Sequence, residues 1–300
     1  MYKIYDEIGK EVVMFSSTKR IISGLLLLVL FCCPSLVKAH ETDNFSYTNY
    51  NGIEMNYNEY STLRELGFNA NEIYHMDMET FNANKDLDAT LLASESKYYK
   101  TVYPVYGQSY TVEVSEEEYN DNGKEILRGQ QTTQYKHIVT TISANSNKYR
   151  YKISVTWRQI PSVKKYDIIG IGYEDDVHIY NSIVYFGYFY STSASDYSST
   201  QYYDQKVTSV GATTVYKIPE GISLTGLAAT LYYDVVKDTG AGTLTSLWMC
   251  GDYAHATSNS VTSTIAAQHG ISYGGIGLGS SNINLYDAIP CTYANASVNW

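Results

Sequence analysis

An alternating pattern runs through Tyr149-Arg-Tyr-Lys-Ile-Ser-Val-Thr-Trp-Arg158. Apolar side chains occupy every second position, from Tyr149 to Trp157, and polar side chains occupy the positions between them. Successive side chains of a β-strand point to opposite faces of the sheet, so this period of two predicts a half-buried antiparallel strand. Its polar face, which includes Arg150 and Lys152, is expected to lie toward water.

The chain after residue 97 has the same character. The sequence contains 32 tyrosines in 300 residues, and glycine and asparagine separate segments of aromatic and β-branched residues. Such composition is typical of strands, and Asp121-Asn-Gly123 is a hairpin turn signal. We therefore predict an all-β fold, an antiparallel β-sandwich over residues 97–300. Further strands are expected at residues 132–142, 167–173, 177–190, 222–236, 244–250, 260–267 and 283–289.

A helical pattern precedes this domain. Residues 57–66 are followed by Gly67, which predicts a helix with a C-terminal glycine. Asn69 is the predicted N-cap of a second helix, and Asp77 opens a third. The sequence thus predicts a short α-helical N-terminal segment over residues 40–96. A segment of this size rarely folds alone, so it either packs on the β-domain or is a pro-segment.

The start of the chain has the pattern of an export signal. Lys19-Arg20 precedes an apolar block at residues 21–33, and Val37-Lys-Ala39 ends in a small residue. These features predict a signal peptide at residues 14–39 and a secreted, extracellular chain with no transmembrane segment after cleavage. Residues 1–13 contain three acidic side chains, which do not suit a signal peptide, so we interpret them as an upstream extension before the true start at Met14.

The mature chain is expected to be acidic. Residues 1–39 hold five of the 21 Lys and Arg and three of the 31 Asp and Glu, which leaves 16 basic and 28 acidic side chains and a net charge of −12. Such a surface repels phosphate backbones and anionic lipids. Nucleic acid is therefore excluded as a partner.

Two of the four cysteines remain after cleavage of the signal peptide, because Cys32 and Cys33 lie within it. In an oxidising compartment Cys250 and Cys291 are predicted to form a disulfide. Two buried thiols are the alternative.

One acidic stretch is a candidate metal site. Glu174, Asp176 and His178 alternate along a predicted strand, so their side chains would share one face. Zinc requires a further ligand that the sequence does not place, and calcium on Glu174, Asp175 and Asp176 is equally open. A solvated acidic turn is the alternative, and no other cofactor is predicted.

The sequence assigns no catalytic residue. Gly270-Ile-Ser-Tyr-Gly274 matches the G-x-S-x-G nucleophile motif, but glycines 275, 277 and 279 disfavour the helix that this motif needs after its serine. No histidine follows His269 to complete a hydrolase site. Glycines that allow a bulge or close sheet packing are the better interpretation.

Aromatic side chains are the candidate binding residues. Trp157, Trp248 and Trp300, together with tyrosines, would stack on sugar rings if they were exposed, although tyrosine is also an ordinary residue of β-surfaces. Residues 188–216 have the Ser/Thr-rich composition of pore-forming stem hairpins but alternate only in patches. A flexible surface loop is the preferred interpretation of that stretch.

Three further segments carry a family resemblance. Leu63-Arg-Glu-Leu-Gly-Phe-Asn-Ala-Asn-Glu-Ile73, Asn84-Lys-Asp-Leu87 and the stretch from Trp157 to Gly170 resemble a group of uncharacterised secreted proteins from Firmicutes. Gly251-Asp-Tyr-Ala-His255 and Tyr286-Asp287 extend the likeness over most of the mature chain. The resemblance implies secretion from a Gram-positive cell and supplies no activity.

The sequence therefore favours a non-catalytic binding protein at or near the cell surface, with an extracellular glycan or protein as ligand. A pore-forming or toxin-like protein and a secreted hydrolase of an extracellular polymer are the alternatives. An enzyme would gather carboxylates in a water-filled cleft, either Glu174, Asp175 and Asp176 or Asp252 with His255. A binding protein would present exposed aromatic rings without convergent acids.

Overall fold

A computed structural model describes residues 4–5, 11–12, 45–104, 109–121, 130–173, 176–287 and 289–300. The predicted signal peptide at residues 14–39, the turn residues Asn122 and Gly123, and the metal candidate Glu174 lie outside these ranges. The chain divides into two compact units. The first contains residues up to Arg64 and residues 68–86, and the second contains residues 65–67 and 87–300.

The first unit carries short helices with the predicted caps. Asn69 accepts the backbone N–H of Glu72 at 3.0 Å, and the Glu72 carboxylate accepts that of Asn69 at 2.7 Å, which is a capping box. Asp77 caps the next helix by accepting the backbone N–H of Thr80 at 2.7 Å. The elements are β1 (Ile4–Tyr5), β2 (Glu11–Val12), β3 (Tyr47–Thr48), β4 (Glu54–Met55), α1 (Tyr57–Glu65), α2 (Ala70–His75) and α3 (Met78–Asn84).

The second unit consists mainly of strands. They are β5 (Ala89–Pro104), β6 (Tyr110–Val114), β7 (Gln130–Asn145), β8 (Lys148–Trp157), β9 (Tyr166–Tyr173), β10 (Val177–Ile179), β11 (Tyr185–Ser191), β12 (Asp196–Ser199), β13 (Asp204–Thr208), β14 (Gly211–Lys217), β15 (Gly226–Lys237), β16 (Ser246–Ala256), β17 (His269–Ser272), β18 (Gly275–Leu278), β19 (Tyr286–Asp287) and β20 (Thr292–Ser297). Two short helices, α4 (Glu116–Asn120) and α5 (Ser263–Ala266), interrupt them. None of the helices in the described ranges has both the length and the apolar character needed to span a bilayer.

Two antiparallel sheets organise this unit, which confirms the predicted fold class. The first has the strand order β12-β11-β15-β8-β7-β5-β6, with β10 also paired to β15. The second has the order β13-β14-β9-β16-β19, with β20 also paired to β16. Side chains from both sheets belong to one hydrophobic core, as two packed layers require. Its members include Ile138, Ile142, Tyr151, Ile153, Val155, Leu231 and Tyr233 from the first sheet and Ile169, Ile171, Tyr173, Leu247 and Met249 from the second.

The strand predicted from the alternating pattern is β8, but its polar face is not exposed to water. Arg150 is 3% exposed and Lys152 is 1% exposed. Arg150 donates to Asp234 on the neighbouring strand β15 at 2.8 Å, and its guanidinium lies 4.7 Å from the ring centroid of Tyr232. Lateral pairing with neighbouring strands thus satisfies polar groups that the sequence pattern assigns to solvent.

Three local predictions were wrong. Residues 188–216 are not a flexible loop, because they contribute β11 and β12 to the first sheet and β13 and β14 to the second. Residues 260–267 contain the helix α5, whose N-cap Thr262 accepts the backbone N–H of Ile265. Residues 283–289 begin with a 3₁₀ turn, and of the residues described in this range only Tyr286–Asp287 pairs as a strand. Apolar runs this short do not distinguish a strand from a helical turn.

A glycine lets the two sheets approach closely. Gly251 on β16 faces Thr140 and Ile153, which are paired across β7 and β8 of the other sheet. A Cβ atom at Gly251 would overlap the Thr140 side chain and lie 3.1 Å from Ile153 Cδ1. Only a residue without a side chain fits this position unless one of the sheets moves.

The substitution Gly251→Ala therefore tests the inter-sheet packing. We expect the free energy of unfolding to fall by about 1–3 kcal/mol, the usual cost of overpacking a closed core. Urea denaturation measures this change, with Gly277→Ala as the control, since a Cβ there meets no atom within 4 Å. Equal stability of both variants would show that the sheets are not in contact at Gly251.

Candidate functional site

A disulfide lies at the β16–β20 pair of the second sheet. Cys250 on β16 is bonded to Cys291, which precedes β20, so the predicted pairing is confirmed. Cys250 is also the register partner of Tyr293 on β20. The covalent link therefore holds the two strands together at the point where both present side chains to the outer face of the sheet.

An aromatic pair lies beside this disulfide. The rings of Trp248 and Tyr293 have centroids 5.3 Å apart and planes 30° apart, and Tyr293 is 49% exposed. Polar side chains surround them, because Ser246, Asn295 and Ser297 are exposed on the same two strands. We call these five residues the aromatic face. It combines flat rings with an amide and two hydroxyls on a rigid strand pair.

The other two predicted aromatic residues are not part of this face. Trp157 is 3% exposed and lies in the core, where its indole N–H donates to the Tyr253 hydroxyl at 3.1 Å. Trp300 packs edge-on against Tyr149 with ring centroids 4.6 Å apart. Its backbone pairs with Leu244, so its role is to anchor the end of the chain. The three tryptophans therefore do not form one surface.

Two of the three candidate metal ligands lie within the described residues: Asp176 in a turn and His178 on β10. Asp176 is exposed, and its backbone carbonyl accepts the N–H of Asp238 at 3.0 Å. The ring Nδ1 of His178 is 2.5 Å from the Asp238 carboxylate. No group of three or more potential ligands from His, Cys, Asp and Glu comes together within the described part of the chain. A metal at this turn stays a prediction.

The G-x-S-x-G motif forms a hairpin. Ser272 ends β17, its hydroxyl donates to the carbonyl of Gly275 at 3.2 Å, and β18 follows directly. Gly172 on β9 lies against the backbone carbonyl of Ser272, where a Cβ would overlap that oxygen. The glycine-rich stretch thus serves close packing of the hairpin on the sheet rather than exposure of a nucleophile.

A cluster of buried charged and polar side chains lies between the two sheets, and the sequence did not predict it. We call this group the polar cluster; it comprises Thr101, Lys136, Asp167, Tyr253, His255 and Asp287. Lys136 on β7 pairs with Asp287 on β19, and the side chains of both are fully buried. The spacing of Lys136 from Ile138 and Ile142, always an even number of residues, is the signal that places a lysine on the core face of its strand.

The two carboxylates of the polar cluster accept many hydrogen bonds. Asp287 Oδ1 accepts the backbone N–H of His255 at 2.8 Å, and Oδ2 accepts the hydroxyl of Thr101 at 3.1 Å in addition to Lys136. Asp167 accepts the Tyr253 hydroxyl and the backbone N–H of Ala256, and both of its oxygens lie 3.0 Å from His255 Nδ1. These partners offset the loss of hydration that burial imposes on each charge.

The polar cluster does not have the form of an open active site. Asp167, His255, Lys136 and Asp287 are all fully buried between the sheets. His255 Nε2 has no hydrogen-bond partner among the residues that the structure describes, so no hydroxyl nucleophile is paired with it there. A hydrolase needs its nucleophile and base within reach of the substrate.

Asp252 does not join His255 in a shared cleft. The Asp252 carboxylate accepts the backbone N–H of Ile276 at 2.8 Å and that of Tyr253 at 2.7 Å. Burial raises its pKa from the ordinary 3.8 to about 6, although both hydrogen bonds oppose the shift. Asp252 therefore retains its proton in the folded protein at pH values where the unfolded chain has lost it.

A second group of aromatic residues extends from the core to the surface. Tyr188 lies 5.3 Å from the buried Tyr216 and 6.3 Å from Tyr190, and Tyr190 lies 5.0 Å from Tyr197, which is exposed. The planes of Tyr190 and Tyr197 differ by only 17°. These rings form a second, continuous aromatic group on the first sheet.

No protein-family model matches the chain, and no curated protein matches it. The collagen-binding domain of the Erysipelothrix rhusiopathiae surface protein RspB is similar with a TM-score of 0.25 and 7% identity, over 41% of this chain and 56% of that one. AvmM, which catalyses macrocyclization in alchivemycin A biosynthesis, is similar with a TM-score of 0.21 and 11% identity, over 50% of this chain and 80% of that one. The chain thus spans just over half the length of the RspB domain. Scores this low establish neither a common fold nor a common activity.

The pKa of Asp252 generates a pH prediction. Because the folded state binds this proton more tightly than the unfolded state, the stability contributed by neutral Asp252 is present below about pH 4 and is lost as the pH rises to about 6. We expect the free energy of unfolding of the wild type, relative to Asp252→Asn, to fall by on the order of 3 kcal/mol across this interval.

Urea denaturation at a series of pH values measures the difference. Asp121→Asn is the control, because Asp121 is exposed and its variant should follow the wild-type pH profile. A constant difference between wild type and Asp252→Asn across the interval would show that Asp252 titrates normally in the folded protein.

Proposed function

We propose that the protein is a non-catalytic binding protein that acts outside the cell, with an extracellular glycan or protein as ligand. The aromatic face carries the proposal, and it favours a glycan. Apolar faces of sugar rings stack on aromatic side chains, while amides and hydroxyls bond to the sugar hydroxyls. Trp248 and Tyr293 supply the rings, and Asn295, Ser246 and Ser297 supply the polar groups.

Rigidity of the aromatic face supports this function. Trp248 is the register partner of Asn295, and Tyr293 is the partner of Cys250, so β-pairing positions both rings. The Cys250–Cys291 bond ties the same two strands. A surface that is ordered before binding loses less conformational entropy when the ligand arrives, which raises affinity for a given set of contacts.

The distribution of charge supports a binding role over a catalytic one. The carboxylates that could perform acid–base chemistry, Asp167 and Asp287, are buried with their partners. The acidic mature chain also disfavours polyanionic ligands, so a neutral or basic glycan is the expected class.

Substitution of the two rings tests the aromatic face. We expect Trp248→Ala and Tyr293→Ala each to weaken binding by at least about tenfold, since stacked aromatic residues dominate interfaces of this kind. The measurement is co-sedimentation of purified protein with insoluble cell-wall and plant polysaccharides. Tyr110→Ala is the matched control, because Tyr110 is exposed to a similar extent on the edge strand β6.

The other outcomes are distinguishable. Loss of binding in Tyr197→Ala but not in Tyr293→Ala would assign the ligand to the second aromatic group. If no polysaccharide is sedimented by the wild type and a cross-linking pull-down recovers a protein that the Trp248→Ala variant does not retain, the ligand is a protein. Absence of any ligand in both experiments would contradict the binding function.

Export is tested separately. We expect the protein recovered from the culture supernatant of a Gram-positive host to begin at His40, which N-terminal sequencing measures. A chain retained inside the cells with residues 14–39 intact would contradict secretion. A chain that begins near residue 97 would show that the helical segment is a pro-segment.

A further inference from the structure

The Lys136–Asp287 pair brings a side-chain amine nitrogen and a carboxyl group together in a closed site. Both side chains are fully buried, and Lys136 Nζ lies 4.8 Å from the ring centroid of Trp157 and 5.7 Å from that of Tyr253. Transfer of an ion pair from water to such a site loses the hydration of both charges. Proton transfer from the ammonium to the carboxylate gives an amine beside a carboxylic acid, with no net charge to bury.

We propose that Lys136 and Asp287 condense to form an intramolecular amide bond. The bond joins β7 of the first sheet to β19 of the second, so the two sheets become covalently linked. This inference rests on the geometry of the polar cluster and is independent of the ligand that the aromatic face binds.

The partners of Asp287 distinguish the oxygen that stays from the oxygen that leaves. Oδ1 accepts the backbone N–H of His255 at 2.8 Å. When the amine attacks Cγ, negative charge develops on this oxygen, and a fixed backbone donor stabilises it there. Oδ2 contacts Lys136 Nζ and accepts the Thr101 hydroxyl at 3.1 Å. Oδ1 thus becomes the amide carbonyl oxygen, and Oδ2 departs.

The condensation is balanced without any further reactant. The Nζ–Cγ bond forms and the Cγ–Oδ2 bond breaks. Two of the three protons of the Lys136 ammonium leave with Oδ2 as one water molecule, and no atom is oxidised or reduced. Release of water from a closed apolar site, together with removal of both buried charges, favours the amide over the ion pair.

The proposal assigns the proton transfer to His255. Its Nδ1 is held by the Asp167 carboxylate, which orients the ring, and its Nε2 is buried and has no hydrogen-bond partner within the described ranges. Its ring centroid lies 4.8 Å from that of Trp157, the ring that Lys136 covers. A histidine held through Nδ1 presents Nε2 as a proton acceptor. His255 takes a proton from Nζ and delivers it to Oδ2, and Asp167 is its positioning residue.

Mass spectrometry of the full-length or naturally processed protein tests the bond directly. After reduction and alkylation of the cysteines, we expect the intact mass to be lower than the sequence mass by one water molecule. Trypsin should then yield residues 129–148 joined to residues 238–300, because an acylated Lys136 is not cleaved and no Lys or Arg follows Lys237. Cys250 and Cys291 both lie in the second peptide, so a disulfide cannot produce this link.

Three variants test the assignment. Asp287→Asn should lose the mass of ammonia instead of water, because the amide nitrogen takes the place of Oδ2 as the leaving group. Lys136→Met should retain its full mass and run as an uncrosslinked chain. Lys97→Met is the matched control, because Lys97 pairs with Glu113 at the surface, and it should show the same loss of water as the wild type.

The wild-type mass decides the proposal whether or not the variants fold. A wild-type chain of full mass that yields a peptide ending at Lys136 would overturn the amide and leave a buried ion pair. The role of His255 has its own test, since His255→Gln should form the bond about a hundredfold more slowly in a time course after expression. An unchanged rate in that variant would overturn the role of His255 in proton transfer.

Discussion

Burial of the polar cluster constrains how the two sheets can pair. Lys136 and Thr101 come from the first sheet, and Asp287 comes from the second, so Asp287 is satisfied only when the sheets meet in this alignment. A shift of β7 by two residues would keep Ile138 and Ile142 on the core face but move Lys136 about 7 Å along the strand and leave Asp287 without its counter-charge. An unpaired buried carboxylate costs far more than an imperfect apolar contact. The polar cluster therefore selects one register from the several that an apolar pattern alone would accept.

Five of the 32 tyrosines have a structural role in the same core. Tyr151, Tyr173, Tyr216, Tyr233 and Tyr253 are fully buried. The Tyr233 hydroxyl donates across the core to the carbonyl of Ile171, and the Tyr253 hydroxyl connects the indole of Trp157 with Asp167. A phenol fills apolar space along its ring and reaches a polar group at its tip. Buried tyrosine hydroxyls thus form hydrogen bonds between the two sheets, which leucine and phenylalanine side chains could not form.

The features that could be predicted depend on residues close together in the chain. The period of two identified β8 and β9, the capping residues Asn69 and Asp77 identified helix starts, and the export context suggested the Cys250–Cys291 pair. Even spacing places Trp157 and Lys136 on the apolar face of their strands, but the groups that each one meets there come from strands that are distant in sequence. The polar cluster joins residues from 101 to 287, and no local pattern reports that those strands meet. Tyr293, the exposed ring beside Trp248, could likewise be assigned only from the pairing of β16 with β20.

Strand β16 connects the aromatic face with the core. Its outward residues include Trp248, Cys250 and Asp252, and its inward residues include Gly251 and His255. The strand that presents Trp248 therefore also carries Gly251, where the two sheets approach each other closely. It also carries the backbone N–H of His255, which donates to Asp287. Any displacement of β16 by a bound ligand would have to separate Gly251 from Thr140 and break the hydrogen bond to Asp287, both of which are closed to water. A face built on such a strand cannot adjust to its ligand, so its selectivity must come from the shape that the fold already gives it.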